Sequence, residues 1–81
     1  MNHATKIRKL ANAIRAYRGI GELGDSGTIV KWHNSPQPDK LKRIRELLGL
    51  LRFDKEEQEN AIKKIDGFKR VTEFDGWIKE L

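Results

Sequence analysis

Leu41, Ile44, Leu47, Leu48 and Leu51 return at intervals of three, three, one and three residues, a spacing that an α-helix gathers onto one face and a strand would scatter over two. A helix over 38–52 follows, and Gly49 within it costs only about 1 kcal/mol relative to alanine. The rest of the chain repeats this period. Ile7, Leu10, Ile14 and Tyr17 recur at three, four and three, which predicts a helix over 4–18 that ends at Gly19 in a left-handed cap. Asp54 followed by Glu57 has the form of a capping box and places a third helix over 55–66. Phe68, Val71, Phe74, Trp77, Ile78 and Leu81 keep helical spacing too, with Thr72 and Asp75 as a second capping-box pair, so a fourth helix starts near 69 or near 73.

Between the first two helices lies a Gly/Pro-rich connection, 19–37. Four glycines fall in 19–27, which resists regular helix. Residues 28–33, TIVKWH, are rich in β-branched and aromatic types and suit a short strand, whose nearest partner is 19–23. A β-hairpin at 19–33 is thus the one candidate departure from an all-helical reading. Pro36 and Pro38 end it and open the next helix.

Two motifs overlap in this connection, and neither fits its surroundings. Gly19, Gly21 and Gly24 spell GxGxxG, but a dinucleotide site needs strand, glycines, then a helix N-terminus, and here the order is reversed. The kinase version would need catalytic elements that the chain lacks. Residues 24–27 spell GDSG, with His33 and Asp25 nearby, yet a triad is defined by geometry and Asp, Ser and Gly are ordinary turn formers. His3 and His33 have no metal-ligand spacing, and the acidic run 54–60 lacks the alternating oxygen ligands of a calcium loop. No catalytic residue, metal or cofactor is expected, and the protein is read as not an enzyme.

With 81 residues the chain is one compact domain, 1–81, burying only about 60 to 65% of its unfolded surface. The fold class expected is mainly α, a small bundle of about four helices. Its core is expected from Ile7, Leu10, Ile14, Leu41, Ile44, Leu47, Leu48, Leu51, Ile62, Ile65, Val71, Phe74, Trp77 and Ile78. The absence of cysteine excludes disulfides and thiolate chemistry and suits a cytoplasmic protein. No stretch approaches the roughly 20 apolar residues of a membrane span, and no membrane partner is expected.

Charge carries the functional reading. Seventeen Lys and Arg stand against twelve Asp and Glu, a net of +5, and the distribution is uneven. Residues 1–18 hold five bases and no acid; residues 54–81 hold eight acids and six bases. Arg8, Asn12 and Arg15 fall opposite the apolar stripe of the first helix. That helix also shares the acid-free, arginine-rich character of a transit peptide or interfacial helix, but its apolar face is narrow. The expected binding residues are Arg8, Lys9, Arg15 and Arg18 on the first helix, Lys40, Lys42, Arg43 and Arg45 on the second, and Lys31 with Trp32 between them. Together they suit contact with nucleic-acid phosphates, made to the backbone of DNA or RNA. A helix-turn-helix from the second and third helices is disfavoured, because Glu56, Glu57 and Glu59 would repel the groove. The alternative is a protein-binding regulator, a small inhibitor or adaptor acting on an acidic partner surface.

Overall fold

A computed structural model describes residues 2–19 and 36–81. Within them the chain forms α1 (His3–Arg18), a 3-10 turn (Pro38–Lys40), α2 (Leu41–Leu50), α3 (Lys55–Gly67) and α4 (Val71–Glu80). The described residues contain no strand. The hairpin expected at 19–33, the GxGxxG and GDSG runs and His33 lie outside them apart from Gly19.

Each helix end has an identifiable cause. Asn2 caps α1, its side chain accepting from the Thr5 amide at 2.8 Å, so the helix begins one residue before the expected start. Gly19 closes α1 with φ 85° and ψ 142°. Its φ is positive as expected, but ψ lies outside the left-handed helical well, and L side chains rarely adopt this pair. Prolines cannot donate and Pro38 sits in the first turn, which tightens 38–40 into 3-10 geometry before α2 proper begins. The Asp54 carboxylate accepts from Glu57 N at 2.8 Å while the Glu57 carboxylate accepts from Asp54 N at 3.1 Å, the reciprocal box expected from the sequence. The second expected box, Thr72 with Asp75, does not form. Instead Glu73 accepts from the amides of Lys69 at 2.8 Å and Arg70 at 3.2 Å, which starts α4 at Val71. These two backbone bonds hold the Glu73 carboxyl below the usual carboxylate range.

The corner between α2 and α3 is a Schellman turn. Phe53 N donates to Leu48 O at 3.1 Å and Arg52 N to Gly49 O at 3.0 Å, leaving Arg52 with φ 68°, a left-handed position that usually carries glycine.

Leu10, Ile14, Ile44, Leu47, Leu48, Ile65 and Phe74 are fully buried, one layer of side chains contributed by all four helices. Ala11, Tyr17, Ala61, Ile62 and Phe68 complete the core, and Leu41, Leu51, Val71, Trp77 and Ile78 pack half-buried on its edge. Ile7, expected inside, is also only half-buried. Phe68 organises the α3–α4 side, meeting Phe74 edge-on at 6.1 Å and Trp77 at 5.9 Å. Trp77 therefore serves packing. Gln37 N donates to Tyr17 O at 2.7 Å, which returns the chain to the end of α1 and starts α2 beside it.

Candidate polyanion-binding face

The cations expected to form one basic wall have three different fates. Arg18 is the clearest correction: it is 2% exposed and unavailable to any partner. Its Nη1 donates to the carbonyls of Asp66 at 2.6 Å and Ile65 at 3.3 Å, and its Nη2 to that of Phe68 at 2.7 Å. The last carbonyls of a helix have no partners within it and carry the negative end of its dipole, so a planar cation with several donors closes the end of α3 efficiently. Burial lowers the Arg18 pKa from its ordinary value, and the neighbouring Asp66 opposes that shift. Tyr17, one residue earlier, donates to Asp66 Oδ1 at 2.5 Å. Burial, the bond to Asp66 and the Asp66 charge, in that order, push its phenol up to about 12.

Arg15 is also turned inward. Its guanidinium lies 5.4 Å from the Phe74 ring centroid, its Nη1 donates to Asn12 Oδ1 at 3.2 Å, and its Nε is buried with no partner among the described residues. A cation over an aromatic face gains from the ring quadrupole, so Arg15 ties α1 to α4 and leaves the outer face expected of it.

On α2 the two arginines meet carboxylates. Arg45 donates to Glu59 of α3 in an ion pair, and Arg43 stands 3.5 Å from Glu46 one turn on. Exposed pairs of this kind add little stability, but each carboxylate cancels most of the field its arginine would offer a phosphate. Lys42 is exposed and Lys40 half-buried, neither in an ion pair among the described residues. The wall expected from two helices is therefore divided, with α2 largely neutralised. Lys31 and Trp32 lie outside the described residues.

What remains together is on α1. Arg8 and Lys9 are exposed, Lys6 is half-buried, and none of the three forms an ion pair among the described residues. No acid occurs in 2–19 to offset them. Lys6 was not among the expected binding residues, although it lies three positions before Lys9 and so on the same edge of the helix. His3 opens α1 and its Nε2 is 2.7 Å from Leu81 O, a link between α1 and the end of α4.

Among the described residues no group of three or more His, Cys, Asp and Glu is placed to hold a metal ion, and no helix is long and apolar enough to cross a membrane. No protein-family model matches the chain, and neither a curated protein nor a solved structure is similar to it.

Proposed function

We propose that this is a small, non-enzymatic binding protein that grips nucleic-acid phosphates through the outer face of α1. The observation that carries this reading is the acid-free helix on which Lys6, Arg8 and Lys9 form no ion pair among the described residues, beside a second helix whose arginines are occupied by Glu46 and Glu59. Cations that no protein carboxylate neutralises keep their full attraction for phosphate and release condensed counterions when they bind it. Arg18 has no part in the contact, and Arg15 supports the face from below.

Fluorescence anisotropy with a labelled duplex at physiological salt tests this reading. The native protein binds with a Kd of about 1 to 100 μM, the range of backbone-only contacts. Replacing Lys6, Arg8 and Lys9 together by alanine removes binding, whereas replacing Arg43 and Arg45 leaves it within about twofold. Equal losses in the two variants would contradict the assignment of the face.

The second reading, a regulator that binds an acidic partner protein, is favoured by Leu50. It is the one large hydrophobic residue exposed among the described residues, at 46%, and it lies seven residues, about two helical turns, beyond Arg43 on the same edge of α2. Absence of any nucleic-acid binding by the native protein would shift the function to this class.

A further inference from the structure

We infer that the ligand of α1 is duplex DNA and that the helix lies in its major groove, an inference that rests on the phosphate-binding function proposed above. At about 100° per residue, Arg8 and Lys9 stand on opposite edges of the exposed face, and Lys6 joins Lys9 on its edge. Between those edges come Thr5, Asn12 and Ala16, with no charge and no long side chain among them. A helix laid on the outside of a nucleic acid needs its cations along the middle of the contact. One laid in a groove needs them along both edges, because the two phosphate strands run on either side of it and the base edges lie ahead of the centre. α1 has the second arrangement.

Asn12 occupies the centre of that face. It is exposed, and its Oδ1 accepts from Arg15, whose guanidinium is itself fixed on Phe74. Its side chain is thereby oriented before any ligand arrives, with the amide hydrogens making no hydrogen bond among the described residues. Those hydrogens suit acceptors such as the N7 and O6 of guanine or the O4 of thymine, all presented in the major groove. α2, α3 and α4 each carry carboxylates, Glu46, Glu56 and Glu73 among them, and lack this edge-and-centre pattern.

Groove geometry separates DNA from RNA. The major groove of B-form DNA is about 12 Å wide and admits a helix, while that of A-form RNA is too deep and narrow for side chains to read. The experiment compares equal-length labelled DNA duplex, RNA duplex and single-stranded DNA, together with a DNA duplex whose cytosines carry glucosylated hydroxymethyl groups that fill the major groove. The native protein is expected to bind plain duplex DNA about tenfold more tightly than the other three. Asn12→Ala is expected to lower duplex-DNA affinity several-fold while circular dichroism and single-strand binding stay unchanged. Equal affinity for DNA and RNA duplexes, or indifference to the glucosylated groove, overturns the groove assignment and leaves the phosphate-binding function standing. Failure to bind any of the four overturns both.

Discussion

The Tyr17 hydroxyl donates to Asp66 across 49 positions of sequence, and the next residue, Arg18, closes the carbonyl end of the same helix. Two adjacent side chains at the end of α1 thus fasten the end of α3, one through a carboxylate and one through the backbone. This double fastening fixes α1 in the bundle and decides which of its cations face outward.

The phenol gives the bundle a pH dependence. Its folded pKa, about 12, lies above the ordinary value of 10.0, so the neutral form is favoured by folding. The stabilisation is complete below pH 10 and is lost as pH rises through 12. Tyr17 is the chain's only tyrosine, so ultraviolet difference absorbance titrates this group alone. The expected midpoint is near 12, and Tyr17→Phe removes the corresponding part of the alkaline loss of stability seen in urea unfolding. An ordinary midpoint near 10 would mean that neither burial nor the bond to Asp66 holds the phenol neutral.

Arg18→Ala is expected to destabilise the fold by about 3 kcal/mol, because it takes the arginine donors from the Asp66 and Phe68 carbonyls at the end of α3 and leaves Ile65 O only its longer bond from Phe68 N. Arg18→Lys keeps the charge but loses the fork and should recover less than half of that loss. Urea denaturation of the two variants measures both values. Full rescue by lysine would show that charge alone, acting on the helix dipole, is what counts.

The backbone offers a reciprocal pair of substitutions. Arg52 holds φ 68°, so Arg52→Gly should stabilise by about 1 kcal/mol even though it adds flexibility to the unfolded chain. Gly76 lies inside α4, and a Cβ built there meets nothing within 4 Å, so Gly76→Ala should stabilise by a similar amount, about 1 kcal/mol. Thermal unfolding followed by circular dichroism should show both variants melting higher than the native protein.

Sequence periodicity located all four helices because each buries one stripe, and the Asp54 and Glu57 pair fixed the start of α3 because that cap is purely local. The start of α4 was less legible. Thr72 and Asp75 have the same cap spacing as Arg70 and Glu73, and spacing alone does not show that it is the Glu73 carboxylate that turns back to the amides of Lys69 and Arg70. Ala11, Ala61 and Tyr17 join the core beyond the expected aliphatics, small or polar-tipped residues whose burial depends on how closely neighbouring helices approach.

The site was read less well than the fold, for a reason that Arg18 makes plain. A buried arginine is the same letter as an exposed one, and its role depends on carbonyls 47 to 50 residues away. One local signal existed: Arg18 falls four residues after Ile14 and seven after Ala11, squarely on the apolar stripe, where a solvated cation does not belong. Arg15, read as lying opposite that stripe, gave no such sign, and the pairing of Arg45 with Glu59 required the packing of α2 on α3.

The salt dependence of duplex binding shows whether Lys6, Arg8 and Lys9 of α1 form the ligand contact. Three phosphates neutralised by Lys6, Arg8 and Lys9 give a slope of log K against log salt of about −2.7, at about 0.9 per phosphate. That slope is expected for the native protein, with no change in Arg45→Ala and a reduction of about one in Arg8→Ala. A slope that survives the loss of Arg8 but falls with Arg45 would place the contact on α2 and contradict that expectation.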